Sequence, residues 1–183
     1  MTETQSGVLD DIDIVVFDLF GTLVEIGARH RPFAHLRRKM SPEKANLFRR
    51  LAMTTGMTLS EIDAKLQGGA TVADLVVAQT AIAHEIASTR LRPGVPEMLA
   101  ALPIRYGVCS NLSIDYVTAL KMFPEIKPAF WVLSCQVGCM KPDPTIYAHV
   151  IQAAGVTPDQ PDSFASAFSA ARGSVSKSID LES

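Results

Sequence analysis

Only three cysteines occur in the 183 residues. Cys109, Cys135 and Cys139 are an odd set in apolar contexts, without CxxC spacing, which argues against a disulfide framework and a zinc site. Buried, reduced thiols are expected. His30, His35, His84 and His149 are scattered and compose no HExxH or comparable metal pattern. Long apolar runs are missing too. Nothing approaches the ~18 uninterrupted apolar residues of a membrane-spanning helix. The acidic, polar start MTETQSGVLDDID has no basic segment leading into an apolar stretch, as a secretory signal would. A cytoplasmic protein is expected. Nor does charge of one sign dominate: 17 Lys and Arg stand against 19 Asp and Glu, for a formal net charge of -2 and a pI near 6.1. That balance supplies no global attraction for nucleic acid or an anionic membrane.

A length of 183 residues accommodates one core domain with a modest insertion. A hydrophobic fraction of 48% with 20% charged residues is an ordinary globular composition with a real core. Residues 12–17, IDIVVF, fit a strand buried on both faces, as in a parallel sheet. The strand ends at Asp18; Gly21 then allows a tight turn, and Thr22 places a hydroxyl able to point back at the strand end. From about 28 to 90 the apolar spacing becomes helical, for three or four helices and no strand, inserted between two sheet strands. Thr58 to Glu61 reads as a capping box opening a helix that Gly68 and Gly69 close, and Thr71 as the next cap.

After the turn at Arg92-Pro93-Gly94, GVPEMLAALP reads as a short helix and IRYGVCS as a second strand ending at Ser110-Asn111. DYVTALKMF follows as a helix, FWVLSC as a third strand and PTIYAHVIQAAG as a further helix. The alternation predicts an α/β protein, a parallel sheet with helices on both faces. Beyond Val156 the chain is rich in Ser, Ala and Asp without a β-branched apolar run, so 158–183 is expected to be an atypical, poorly ordered tail.

Open parallel sheets bind ligands outside the carboxyl ends of their strands. The polar residues there are Asp18, Ser110, Asn111 and, just beyond the third strand, Lys141. A carboxylate so placed can attack carbon or phosphorus, a hydroxyl and an amide can hold anionic oxygens, and a lysine can offset the negative charge. The segment 29–50 carries eight of the 17 Lys and Arg residues against one acid, Glu43. Such a cluster can attract an anionic substrate, and Arg49 or Arg29 can clamp a carboxylate, although a solvated basic helix face is the commoner meaning of such a pattern.

FDLFGTLV, VCSNLS and GCMKPDPTIY, in this order, resemble the first three motifs of the haloacid dehalogenase superfamily, and the agreement spans roughly residues 12–157. The resemblance implies a Rossmann-like core formed by 10–27 and 91–157, with 28–90 as a helical cap. It implies Asp18 as nucleophile, Thr22 as support of the first loop, Ser110 and Asn111 as binders of substrate or intermediate, and Lys141 as the group orienting the nucleophile. Phosphatases of the superfamily usually carry a second aspartate two residues after the nucleophile, to protonate an alkoxide leaving group. Here that position is Phe20, which matches the dehalogenase branch, where it faces the substrate and halide leaves without a proton. That branch requires no metal. Mg²⁺, held partly by Asp18, is implied only if the chain is phosphatase-like.

The superfamily's fourth motif, an apolar strand followed by acids, should lie roughly 25–30 residues after the lysine. That window holds ASAFSAAR, without a carboxylate; Asp159 and Asp162 come too early and follow no strand. The expectation is an incomplete C-terminal core, a first strand left as a sheet edge, and impaired turnover, as after truncation or a shift of frame. Three readings follow: a 2-haloacid dehalogenase-like hydrolase of a small anionic substrate, an Mg²⁺-dependent small-molecule phosphatase relative, or a catalytically inactive remnant. A homodimer is compatible with all three.

Overall fold

The computed structural model describes residues 14–156; the expected tail and the window of the fourth motif lie outside the described residues. Ile14–Phe17 (β1) pairs in parallel with Arg105–Ser110 (β4), which pairs in parallel with Trp131–Leu133 (β5), giving the order β1-β4-β5. Among the described residues β1 has this single neighbour. Its side chains alternate, Ile14 and Val16 buried, Val15 and Phe17 half-buried, so the expected burial on both faces is not complete.

Two faces of the sheet are covered, as period-two alternation along the strands requires. Val16, Cys109 and Val132 meet Ile146 and Val150 of the helix Pro144–Ala154 (α7). On the opposite face Tyr106, Val108 and Leu133 join Val95 and Leu99 of Val95–Ala101 (α5) and Tyr116 and Ala119 of a 3-10 helix, Ile114–Met122. Each fully buried aliphatic side chain of this kind contributes about 1.5–3 kcal/mol of burial free energy. α7 starts where Asp143 caps Thr145 N–H and Pro144 supplies a fixed φ, and it stops at Gly155 in the left-handed region.

Two further strands lie outside the main sheet. Val24–Ile26 (β2) and Thr89–Leu91 (β3) form an antiparallel ribbon, pairing Val24 with Leu91 and Ile26 with Thr89. Neither strand was legible, and FWVLSC is shorter than expected because Ser134 and Cys135 already begin the turn of helix Ser134–Val137 (α6). DYVTALKMF is helical with 3-10 rather than α geometry.

Between β2 and β3 lie four helices, Pro32–Arg37 (α1), Pro42–Thr54 (α2), Leu59–Leu66 (α3) and Val72–Ala87 (α4). Complete capping boxes open α3 (Thr58 with Glu61) and α4 (Thr71 with Asp74). Asp74 also binds Lys39 Nζ at 2.6 Å and His35 Nε2 at 3.3 Å. Lys39, then the Thr71 cap, hold its carboxyl well below the usual carboxylate range. Phe33, Phe48, Leu59 and Ile62 join the same apolar cluster as Leu19, Phe20 and Tyr116, so the insertion and the sheet share one core. No helix of the described residues is long and apolar enough to cross a membrane.

Gly107 in β4 lies beneath the Phe130 ring, and a Cβ built there would fall 2.3 Å from the ring. Gly107→Ala should therefore lower stability by about 1–3 kcal/mol through overpacking, read as a lower urea midpoint with an unchanged slope. An unchanged midpoint would show that the ring yields freely.

Candidate active site

β1 delivers Asp18 to the carboxyl edge of the sheet, and the chain then folds back tightly. The Leu19 carbonyl accepts from Thr22 N–H (3.3 Å), Leu23 N–H (2.9 Å) and Val24 N–H (2.9 Å), while Gly21, at φ +89°, donates its N–H to Val24 O at 2.7 Å. That left-handed φ is why glycine suits the tip. Leu19 N–H donates to Asp18 Oδ1 at 2.9 Å. On the other side Lys141 Nζ lies 2.9 Å from the same oxygen and donates to Cys109 O at 2.9 Å. The pair is only partly shielded, with side-chain exposures of 39% for Asp18 and 22% for Lys141.

Asn111 holds the lysine's main chain at both ends. Its Nδ2 donates to Lys141 O at 3.0 Å, and Lys141 N–H donates to Asn111 Oδ1 at 2.7 Å. Asn111, expected to bind substrate, spends both polar atoms of its amide on the Lys141 main chain in this structure. Ser110, beside it at the end of β4, is 1% exposed. Thr22 is half-buried within the Asp18 turn. Burial, with Lys141 opposing it, raises the Cys109 thiol to about 11; Cys109 and Cys135 are buried as expected, whereas Cys139 is half-buried.

Phe20 is 5% exposed, and its ring meets Tyr116 edge-on at 6.3 Å. A ring so placed offers a small ligand an edge at most. Tyr116 in turn stacks on Phe33 at 6.1 Å. Arg49 lies on an exposed side of α2 and takes part in none of the ion pairs among the described residues. Its neighbour Arg50 is the residue whose charge reaches the lysine loop: Asp143 is held below its usual range first by the Thr145 N–H and side chain, with Arg50 adding to the effect. α2 packs on α6, which carries this basic helix to the β5 end of the sheet.

Two residues that matter here were missed by sequence reasoning. Glu85 of α4 is 5% exposed, and its carboxylate accepts from His30 N–H (2.5 Å), Arg31 N–H (2.9 Å) and the Tyr116 hydroxyl. Burial, then the Glu85 carboxylate, raises the Tyr116 phenol far above its ordinary value. A signal existed, since Ala78, Ile82 and Glu85 share one helical stripe and put an acid at a core position. Arg92 is the second; its Nη1 donates to Gly21 O at 2.7 Å. Nothing local in the sequence marks that contact.

The described residues contain no group of three or more His, Cys, Asp or Glu placed to hold a metal ion. They supply at most part of a Mg²⁺ site, through Asp18.

The fold is that of a known family. A sequence profile of the haloacid dehalogenase-like hydrolases matches residues 12–160, and the chain belongs to that family. Among solved structures, a family enzyme from Bacteroides thetaiotaomicron, crystallised with magnesium and inorganic phosphate, is similar at 18% identity with a TM-score of 0.55, over 81% of this chain and 82% of that chain. A predicted HAD-like hydrolase from Porphyromonas gingivalis gives 18% and 0.53, over 87% and 88%. A predicted phosphoglycolate phosphatase from Haemophilus somnus gives 19% and 0.52, over 82% and 75%. At such identities the likeness shows the fold. No curated protein matches the sequence.

Asn111→Ala should release both ends of the Lys141 main chain. The expected result is a loss of about 1–3 kcal/mol in unfolding free energy, with an Asp18–Lys141 contact that lengthens in a crystal structure of the variant. An intact contact would assign the lysine's placement to Cys109 O alone.

Proposed function

We propose that the chain is a hydrolase that attacks a small anionic organic acid at carbon through the Asp18 carboxylate, in the manner of a 2-haloacid dehalogenase. The observation that carries this reading is Phe20. Two residues beyond the nucleophile the side chain is an aromatic ring packed on Tyr116, so no acid stands there to protonate a leaving group. Halide needs none.

With Oδ1 engaged by Lys141 and Leu19 N–H, Oδ2 is the attacking oxygen. It forms the bond to the substrate's α-carbon as the carbon–halogen bond breaks and halide leaves with the electron pair. Water then adds at the Asp18 carboxyl carbon and the bond from that carbon to the substrate-bearing oxygen breaks; one water proton goes to the departing oxygen, giving a 2-hydroxy acid, and the other to solvent, restoring the carboxylate. The insertion 28–90 acts as a cap in this reading, and its basic helix α2, with Arg49 and Arg50, attracts the substrate's own carboxylate. Ser110 and Thr22 offer hydroxyls to the anionic groups.

A second reading, hydrolysis of a small phosphate ester with Asp18 attacking phosphorus, is favoured by the magnesium and phosphate bound to the Bacteroides enzyme and by the phosphoglycolate phosphatase named among the similar structures. Magnesium would neutralise phosphate charge there, with Asp18 as its carboxylate ligand. The third reading is an inactive relative that at most binds a ligand.

Intact-protein mass spectrometry after incubation with short 2-haloacids, with released halide measured in parallel, separates them. The expected result is an adduct that disappears in Asp18→Asn. An adduct without sustained halide release means that ester hydrolysis fails. Folded protein that gives neither, yet hydrolyses p-nitrophenyl phosphate with Mg²⁺, moves the assignment to the phosphatase reading. Silence in both assays supports the inactive relative.

A further inference from the structure

The ribbon that joins the helical insertion to the sheet does more than connect them. Its last ladder pair is Val24 with Leu91, and one residue further on Arg92 N–H donates to Leu23 O at 3.0 Å. The returning chain therefore runs alongside the turn that follows Asp18. From the same residue the guanidinium reaches over the turn to Gly21 O, 2.7 Å away. One arginine thus holds the turn at two carbonyls, those of Gly21 and Leu23, by its side chain and its main chain.

What the turn controls is Leu19. The Leu19 carbonyl is the common acceptor for Thr22, Leu23 and Val24, and its N–H is the donor to Asp18 Oδ1. A shift at Gly21 passes through this short closed loop to the peptide that fixes the carboxylate. A guanidinium fits the role because it stays charged and its planar fork holds direction at an exposed carbonyl, where a neutral donor competes poorly with water. The neighbouring ion pair, Arg90 Nε to Glu25 Oε1 at 2.7 Å, lies on the same ribbon without touching the turn, and serves as an internal control.

We infer that Arg92 is a positioning residue that clamps the Asp18 turn and couples the insertion's return strand to the orientation of the nucleophile. The consequence for chemistry rests on the proposed role of Asp18; the clamp itself does not.

The test is hydrogen exchange by mass spectrometry on the full chain, in peptides covering residues 19–26, for wild type, Arg92→Ala, Arg92→Lys and Arg90→Ala. Loss of the clamp should speed exchange of the Thr22, Leu23 and Val24 amides by roughly five- to tenfold, the effect of losing one hydrogen bond to local opening. Arg92→Lys, which keeps a cationic donor but not the planar fork, should retain part of the protection, and millimolar ethylguanidinium should restore part of it in Arg92→Ala. Arg90→Ala should leave these amides unchanged. Where the wild type forms the Asp18 adduct, Arg92→Ala should slow its formation at saturating haloacid without raising the half-saturating concentration. Protection changes of this pattern support the clamp even if the wild type forms no adduct, a result that would count against the role of Asp18 instead. Wild-type exchange in Arg92→Ala, or equal acceleration in Arg92→Ala and Arg90→Ala, would overturn the inference.

Discussion

The Lys141 ammonium stands 2.9 Å from Asp18 Oδ1, and three separate pieces of chain must agree for it to do so. β1 and β4, paired in parallel from Ile14–Arg105 to Phe17–Val108, bring the ends of both strands to one edge of the sheet. Asn111 then ties the Lys141 main chain at both its N–H and its carbonyl, and Cys109 O takes a second bond from the ammonium. The pair is too exposed to add much stability, with a contribution of about 0–1 kcal/mol. Its effect is directional: Oδ1 is occupied by two donors, which sets the orientation of the carboxylate.

The helical insertion is joined to this edge by a buried charge. Taking the Glu85 carboxylate out of water is unfavourable unless its lone pairs are met, and two backbone N–H groups with the Tyr116 hydroxyl meet them. Those donors come from α1's approach and from the 3-10 helix behind β4, so α4, the outgoing linker and the sheet domain meet at one carboxylate. Phe33 and Phe20 pack on the ring of Tyr116. Phe20 therefore has two consequences: it removes an acid from beside Asp18, and it extends the apolar contact between insertion and sheet.

The parallel sheet and its helices were legible because their strands are apolar and end in polar clusters, and the capped helices because Thr58 and Thr71 each precede an acid by three residues. β2 and β3 were not legible. Each has three residues, VEI and TRL, too short for alternation to register, and they are held by partners 65 residues apart. At the site, sequence order brought Asp18, Asn111 and Lys141 into one hypothesis, but not the bonds that tie the Asn111 amide to the Lys141 main chain. The bonds of an amide to a main chain, or of Arg92 to Gly21 O, depend on geometry between distant segments and leave no local pattern. Glu85 was legible in principle and was overlooked as one acid among the alanines of α4. The expected replacement of the fourth motif falls outside the described residues.

The central claim, covalent attack by Asp18 at carbon, is tested most directly by a single turnover in H₂¹⁸O with enzyme in excess over a 2-haloacid. Water that enters at the Asp18 carboxyl carbon leaves its label in the peptide containing Asp18, while the first product carries an unlabelled hydroxyl taken from the enzyme. That is the result expected here. Label in the first-turnover product, with none in the Asp18 peptide, would mean that water attacks the substrate directly, and would contradict the account.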